Sequence, residues 1–395
     1  MSKKVLVINA GSSSIKLQLF LKDTLDVIAS GIAERITLAD GIITIKANGE
    51  KYIKNVAMPN HTVAAEHILE LMSQAKIIEN VEEIEIIGFR VVHGGKFFTK
   101  TTAINDEVIE VIKKCSDYAP LHNPGALQAI SAFKSVLPHA KLAAEFDTSF
   151  HTTMPDVNSI YPIPAEWTEK YGIRRFGFHG ISHQFITLKM EQILGKEKVN
   201  IVNAHIGNGA SLCAIKDSKS VDTTMGFTPL AGIMMGTRSG DIDPAIIEFV
   251  ASHANLSAAE VTSALNKKSG LLGVSGISSD MRDIEKGIVE GNLKAIFAWK
   301  LYVQKIVDYI ANYANKVGKL DAIVFTAGVG ENAPDLRQDV VEKITFANIK
   351  LNNEANTKPI EEYALISAPE SEVKVYVIRT NEELLIAQNS IKIFK

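Results

Sequence analysis

The same strand–turn–strand pattern occurs twice in this chain, once at its start and once near its middle. In VLVINAGSSSIKLQLF, residues 5–20, apolar residues of period two on both sides of a small polar turn predict two short strands. VNIVNAHIGNGASLCAIKD, residues 199–217, predicts the same arrangement. Two copies of one pattern indicate an internal structural duplication, with one glycine-bearing hairpin in each half.

Strand patterns alternate with amphipathic helix patterns along most of the chain, which predicts an α/β fold. The Asn48-Gly49 step predicts a two-residue hairpin turn. Asn123, followed by Pro124, predicts the N-cap of a helix, and the apolar spacing over residues 292–317 predicts the longest helix.

Length and composition exclude several classes of protein. With 395 residues the chain is long enough for two or three domains, and the prolines of MPDVNSIYPIPAEW, residues 154–167, predict a domain crossing. A net charge of −3 argues against nucleic-acid binding, and no apolar run has the ~20 residues that span a membrane. Cys115 and Cys213 lack metal-ligand spacing, so we expect reduced, buried thiols in a cytoplasmic protein without a leader sequence.

Three small-residue segments are candidates for binding phosphate. The first turn differs from a P-loop because residues 11–16 lead into a strand, but its hydroxyls, backbone N–H groups and lysine suit an anion. GNGAS at 207–211 and AIVFTAGVGEN at 322–332 are the other two. Ordinary hairpin turns explain either of the first two alone; as a pair they suit the phosphates of one nucleotide.

Four charged or titratable residues lie in loops or at strand ends. FRVVHGG, residues 89–95, ends a strand-like run and contains Arg90, and Arg238 lies in a Gly/Ser loop. Two such arginines suit transfer of a phosphoryl group to an anionic acceptor. His179 precedes a helix whose N-cap we predict at Ser182, and Asp147 follows a strand directly. Surface charge, packing in a loop and helix capping are the alternatives for these residues.

Together these segments resemble the acetate kinase (acetokinase) family of the acetate and sugar kinase, heat-shock-70 and actin superfamily. The shared motifs are NAGSSSIK, FRVVHGG, LHNPG, FDTSFHTTMP, YGIRRFGFHGISH, AHIGNGAS, MGFTPLAGIMMGTRSGDIDP, TAGVGEN and RTNEELLIA. The resemblance implies two α/β domains of duplicated ribonuclease-H-like (actin-like ATPase) topology, with the active site in the interdomain cleft. The implied N-terminal domain is 1–150 plus 383–395, the nucleotide-binding domain is 151–382, and the protein is a homodimer.

The resemblance also assigns roles to residues that match the family's positions. The implied catalytic residues are Asp147, His179, Arg238 and His122. The implied acetate site consists of Arg90 with an apolar pocket of Val92, Leu121, Phe178 and Pro229. The implied nucleotide-binding residues are Ser12, Ser14, Lys16, His205, Ile206, Gly207, Asn208, Gly209, Asp280, Met281, Arg282, Gly328, Val329, Gly330, Glu331 and Asn332. Asn9 and Glu382 match the metal-associated positions.

The implied reaction is Mg²⁺- or Mn²⁺-dependent, reversible transfer of a phosphoryl group from ATP to acetate, giving ADP and acetyl phosphate. A propionate kinase or a broader short-chain acyl kinase shares nearly all these motifs, and an actin- or chaperone-like ATPase is the alternative from another class. Two positions depart from the family pattern: Ile181 stands where threonine is common, and Ala231 where an acidic residue is common. Neither removes a matched catalytic group.

Overall fold

The computed structural model describes residues 2–120 and 122–395. The chain forms two compact units: unit 1 consists of Met1–Thr152 with Asn381–Lys395, and unit 2 of Thr153–Thr380. In the part of the chain described, no helix combines the length and the apolarity needed to cross a membrane. Leu121, one of the predicted apolar site residues, lies outside the described residues.

Each unit contains one mixed β-sheet. The strands of unit 1 are β1 (Lys4–Ala10), β2 (Ser14–Leu21), β3 (Val27–Glu34), β4 (Ile42–Ala47), β5 (Glu50–Asn55), β6 (Ile84–Val91), β7 (Thr102–Ala103) and β8 (Lys141–Phe146). Those of unit 2 are β9 (Ile201–Ile206), β10 (Ala210–Lys216), β11 (Lys219–Thr223), β12 (Ala322–Thr326), β13 (Tyr363–Leu365) and β14 (Lys374–Ile378).

The two sheets repeat one topology. In unit 1 the order is β5-β4-β3-β2-β1-β6-β8-β7, with β1, β2 and β3 antiparallel and with β6 and β8 added parallel to β1. In unit 2 the order is β11-β10-β9-β12-β14-β13, with β9 to β11 antiparallel and β12 and β14 parallel to β9. Both sheets therefore share the core order 3-2-1-4-5, which confirms the predicted α/β fold and duplication.

Fifteen helices connect these strands in the described part of the chain, together with short 3₁₀ turns. They are α1 (His61–Gln74), α2 (Asp106–Lys114), α3 (Asn123–Val136), α4 (Asp156–Ser159), α5 (Ala165–Tyr171), α6 (Gly180–Leu194), α7 (Ala245–Ala254), α8 (Ala258–Lys267), α9 (Gly270–Ser275), α10 (Met281–Val289), α11 (Leu293–Val317), α12 (Ala327–Asn332), α13 (Pro334–Glu342), α14 (Asn353–Thr357) and α15 (Glu382–Ile393). The longest, α11, matches the predicted span and packs on β9 and β10.

Local predictions were right where short-range chemistry decides the backbone. Asn48 and Gly49 have positive φ and join β4 to β5, as predicted. The prediction of Asn123 as an N-cap was wrong, because Asn123 is the first residue of α3. Its amide instead accepts a hydrogen bond from the His93 backbone N (3.1 Å) and donates one to the His93 carbonyl (2.9 Å). A tertiary contact thus uses the side chain that would otherwise cap the helix. Cys115 and Cys213 are free and buried, as expected.

The C-terminal helix α15 packs on the centre of the unit 1 sheet at a glycine. A Cβ atom on Gly88 of β6 would lie 2.6 Å from both the Ile386 side chain and the Ser390 hydroxyl. Gly88 therefore allows α15 to approach the sheet closely, and this approach fixes the position of the residue at the start of that helix, Glu382.

We expect Gly88→Ala to lower the thermal unfolding midpoint, because the added methyl overpacks this interface at a cost of about 1–3 kcal/mol. Gly328→Ala is the matched control: a Cβ there meets nothing within 4 Å, and alanine is the better helix former. Differential scanning calorimetry measures both. Equal midpoints for Gly88→Ala and the wild-type protein would contradict the close packing.

A buried carboxyl group also connects α15 to the sheet. Glu145 on β8 accepts hydrogen bonds from the Thr101 hydroxyl and from Asn389 Nδ2 (3.0 Å). Burial raises the pKa of Glu145 to about 7, although these two bonds act in the opposite direction. A carboxyl group with a raised pKa in the folded state stabilises the fold below its unfolded pKa of about 4.5, and this contribution is lost as the pH rises through about 7.

Glu145→Gln keeps a hydrogen-bond acceptor and carries no charge, so we expect it to raise the unfolding midpoint at pH 8 and to change it little at pH 5. The difference corresponds to a free energy on the order of 2 kcal/mol. Glu110→Gln, which replaces an exposed residue of α2, is the control. We expect it to change the unfolding midpoint by the same amount at pH 5 and pH 8. A pH-independent effect of Glu145→Gln would show that Glu145 is ionised throughout this range in the folded protein.

Candidate functional site

In unit 1, four of the predicted site residues lie together at one edge of the sheet. Asn9 lies near the carboxyl end of β1, Arg90 near that of β6, and Asp147 directly after β8. These three strands are parallel, so their carboxyl ends meet at the same edge. Glu382, the first residue of α15, completes the group.

Arg90 is the centre of this group. Its Nε and Nη2 donate to the two carboxylate oxygens of Asp147 at 3.1 and 2.5 Å, and its Nη1 donates to Asn9 Oδ1 at 3.3 Å. The Glu382 carboxylate lies 3.8 Å from Nε. These contacts hold a planar guanidinium in one orientation while a fifth of the side chain stays exposed.

The charges in this group perturb one another. Burial opposes the positive charge of Arg90, but Asp147 and Glu382 outweigh it and raise the pKa of Arg90 above its ordinary value. Burial raises the pKa of Glu382, against the influence of Arg90, and the negative charge of Asp147 acts in the same direction as burial. The site thus balances one cation with two carboxylates.

The first hairpin turn of unit 1 is fixed by close backbone packing. The Gly11 carbonyl contacts the His61 ring at 2.9 Å, and a Cβ on Gly125 of α3 would lie 2.6 Å from the Gly11 backbone. The predicted phosphate-binding residues Ser12, Ser14 and Lys16 belong to this turn and the start of β2.

The remaining predicted residues of unit 1 lie on neighbouring segments. Lys16 is exposed and lines a 410 Å³ depression on β2 to β4 with Lys46 and Glu383. His122 directly precedes α3, and Val92 is half-buried after β6. Val92 belongs to unit 1, whereas Phe178 and Pro229, also predicted for the apolar pocket, belong to unit 2. The apolar pocket therefore stays a prediction.

Two stacked histidines lie at the carboxyl end of β9 in unit 2. The rings of His179 and His205 have centroids 4.1 Å apart. His179 has a left-handed backbone (φ 57°, ψ 22°) and directly precedes α6, which begins at Gly180. The predicted N-cap at Ser182 was therefore wrong, because the Ser182 hydroxyl bonds His205 Nδ1 (2.8 Å) and Thr380 (2.9 Å) instead.

Arg238 lies against the second hairpin turn. Its Nη1 donates to the Pro229 carbonyl at 2.8 Å, and a Cβ on Gly209 would lie 3.1 Å from Nη2. Burial lowers the pKa of Arg238 from its ordinary value. Glycine at 209 thus allows a guanidinium to approach the turn. Phe178, next to His179, is buried.

A cavity of about 570 Å³ opens beside this turn. Eight of the predicted nucleotide-binding residues line it: Gly207, Asn208, Asp280, Met281, Arg282, Gly328, Val329 and Asn332. Its other lining residues were not predicted: Gly236, Leu271, Ser279, Glu285, Tyr302 and Ala333. Three of these six lie on α9, α10 and α11, and for the apolar Leu271 and Tyr302 helical spacing is also typical of ordinary core packing.

The other predicted nucleotide-binding residues of unit 2 do not line this cavity. They are His205, Ile206, Gly209, Gly330 and Glu331. Glu331 Oε1 accepts hydrogen bonds from the backbone N of Ala327 (2.8 Å) and of Thr380 (3.1 Å), which connects the start of α12 to the segment after β14. This use of Glu331 is structural.

One charged pair defines the outer part of the cavity. Asp280 caps α10 by accepting from the Arg282 backbone N (3.0 Å), and it pairs with the Arg282 guanidinium through both carboxylate oxygens. The hydrogen bonds from Arg282 lower the pKa of Asp280 to about 2. Asp280 therefore stays ionised, and its carboxylate is paired with a guanidinium that also lines the cavity.

The oxygen atoms of unit 1 fit a magnesium ion better than a softer metal. Asn9 offers an amide oxygen and Glu382 a carboxylate, both hard ligands. Within residues 2–120 and 122–395 no group of three or more His, Cys, Asp or Glu side chains has the arrangement of a metal site. An amide oxygen and a carboxylate suit Mg²⁺, which keeps several waters and takes one or two protein carboxylates together with substrate phosphates.

Comparison with known proteins gives matches along the whole chain. A profile of the Acetokinase family matches residues 4–388. Acetate kinase of Mycoplasmopsis pulmonis is 58% identical over 391 residues, which are 99% of this chain and 99% of the relative.

Solved structures agree with the sequence match. The crystal structure of Porphyromonas gingivalis acetate kinase has a TM-score of 0.95 at 42% identity and covers 100% of both chains. A propionate kinase from Francisella tularensis has a TM-score of 0.92 at 38% identity over 98% of this chain and 99% of the other. The match to the family profile spans far more than half of the sequence, so the chain belongs to the acetokinase family and is a kinase.

Proposed function

We propose that this enzyme transfers a phosphoryl group reversibly from ATP to acetate, giving ADP and acetyl phosphate by direct in-line transfer. The observation that carries the proposal is the group of Asn9, Arg90, Asp147 and Glu382 in unit 1. Its contacts hold the Arg90 cation in an orientation suited to binding a small carboxylate. We infer that unit 2 binds the nucleotide and that unit 1 binds the carboxylate acceptor.

Arg90 has the right number of hydrogen-bond donors for this role. A guanidinium has five N–H groups, and Asp147 and Asn9 use three of them. One N–H remains on each terminal nitrogen as far as the described residues show. A guanidinium binds both oxygens of a carboxylate with one N–H from each terminal nitrogen. Asp147 then acts by orienting Arg90 and by keeping it charged.

The acceptor needs no general base. A short-chain carboxylic acid is already ionised near neutral pH, so the barrier lies in bringing two anions together and in neutralising charge on the phosphoryl oxygens. Arg238 and His179 of unit 2 are the groups that we assign to those oxygens. The half-buried cation of Arg238 beside the second hairpin turn is suited to this task, because charge stabilisation is strong where water is scarce.

The chemistry of this family uses ATP or ADP and a divalent metal ion. We propose Mg²⁺ as that ion: Asn9 and Glu382 would hold it, and it would supply positive charge that neutralises phosphate oxygens. The 570 Å³ cavity of unit 2 is the proposed place of the nucleotide, with Leu271 and Tyr302 as apolar walls. Manganese as an alternative metal, a homodimer and a cytoplasmic location stay predictions.

Propionate is the second candidate acceptor. The similarity to the Francisella tularensis propionate kinase favours it, and one additional methylene is worth only about 1–3 kcal/mol of discrimination.

Trapping of the acyl phosphate with hydroxylamine tests the proposed reaction. With ATP and Mg²⁺ we expect hydroxamate from acetate, less from propionate and least from butyrate, because each methylene must fit the same small pocket. Higher kcat/KM with propionate than with acetate would make this chain a propionate kinase. ATP hydrolysis without hydroxamate from any acid would support the actin- or chaperone-like ATPase alternative instead.

We expect Arg238→Ala to lower kcat by roughly 10³-fold or more, the loss typical of a phosphoryl-stabilising arginine, and to leave the KM for ATP nearly unchanged. Arg174→Ala is the control, because Arg174 pairs with Asp156 and Ser159 on another segment of unit 2. Steady-state kinetics with hydroxamate detection measure both. Unchanged turnover of Arg238→Ala would remove Arg238 from the mechanism.

A further inference from the structure

A buried serine hydroxyl lies between two histidine rings in unit 2. Ser211 on β10 is fully buried, and its Oγ lies 2.9 Å from His179 Nδ1 and 2.9 Å from His183 Nε2. The other ring nitrogen of His183, Nδ1, lies 2.8 Å from the side-chain amide nitrogen of Asn203 on β9. These four side chains form one continuous chain of hydrogen bonds.

The direction of these hydrogen bonds follows from counting protons. An amide NH₂ group only donates, so Asn203 donates to His183 Nδ1. A neutral imidazole that accepts at one nitrogen carries its proton on the other, so His183 Nε2–H donates to Ser211. A hydroxyl has a single proton, and of the two ring nitrogens described in contact with Ser211 Oγ only His179 Nδ1 is left to accept it. His179 must then carry its own proton on Nε2.

The direction depends on the orientation of the Asn203 amide. Its NH₂ group faces His183 Nδ1, while its Oδ1 is buried and has no hydrogen-bond partner among the described residues. Asn203 and His183 are both fully buried. If these hydrogen bonds ran in the opposite direction, His183 Nδ1 would carry a proton. That N–H would then face the N–H groups of the Asn203 amide.

We propose that Asn203, His183 and Ser211 are positioning residues that fix His179 as the Nε2–H tautomer, so that it presents a hydrogen-bond donor to an oxygen of the transferring phosphoryl group. This inference rests on the proposed function for the identity of the acceptor oxygen. The direction of the hydrogen-bond chain itself depends only on the geometry of unit 2.

Nitrogen-15 NMR of the histidine side chains tests the proposal, because protonated and unprotonated ring nitrogens resonate far apart. In ¹⁵N-histidine-labelled protein at a pH where the ring is neutral, we expect His179 to show a protonated Nε2 and an unprotonated Nδ1. Loss of signals in His179→Gln identifies them. A protonated Nδ1 in the neutral ring would overturn the proposal.

Two variants interrupt the chain at different points. Ser211→Ala removes the hydroxyl next to His179. Asn203→Leu removes the donor at the other end of the hydrogen-bond chain and leaves His183 and Ser211 in place. We expect both to give a mixture of His179 tautomers. Ser220→Ala, which removes another buried hydroxyl from the same sheet, is the control and is expected to leave the tautomer unchanged. A pure Nε2–H tautomer in a folded Ser211→Ala or Asn203→Leu protein would also contradict the proposal.

Kinetics give a second readout that a merely structural role would not produce. We expect Ser211→Ala to lower kcat by up to roughly 10²-fold, the lower end of the loss for one donor to developing charge, with little change in the KM for ATP or acetate. Increases in the KM for both ATP and acetate would indicate a packing defect and would count against a role in tautomer control. Absence of hydroxamate from the wild-type enzyme would refute the proposed function alone, since the NMR result needs no activity.

Discussion

The ion pair between Arg90 and Asp147 connects the carboxyl ends of two adjacent parallel strands, and the unit 1 site depends on it. Its two parallel N–H···O contacts fix the plane of the guanidinium as well as its position. Removal of Asp147 alone would leave a largely buried cation without its bidentate partner, which costs more than the pair contributes. The pair is therefore better understood as an orienting device than as a source of stability.

The sequence predicted the fold well because the fold depends on local patterns. Alternating apolar residues mark both hairpins, and the repeat of one pattern predicted the duplicated sheets that the structure contains. Where a tertiary contact competes with a local signal, the prediction failed. Asn123 and Ser182 are good capping residues by type, yet one holds the His93 backbone and the other bonds His205.

The candidate site was predictable in part for the same reason. Asn9, Arg90 and Asp147 follow or end apolar strand patterns, and parallel strands bring such positions together. Tyr302 gave no comparable signal, because an aromatic residue at helical spacing on α11 is usually a core residue. Ser211 likewise gives no signal in the sequence, since its role depends on two rings brought together by different elements.

The backbone conformation of His179 in unit 2 has a cost in conformational energy. A left-handed conformation costs a non-glycine residue roughly 1–2 kcal/mol, and glycine would avoid that cost. Glycine would also remove the ring that stacks on His205 and bonds Ser211. The backbone conformation at position 179 would favour glycine, so the turn does not explain a histidine there. The contacts of the imidazole ring with His205 and Ser211 do. The hydrogen bond from Ser211 then gives the strained residue one ring orientation, and the stacking on His205 limits its rotation.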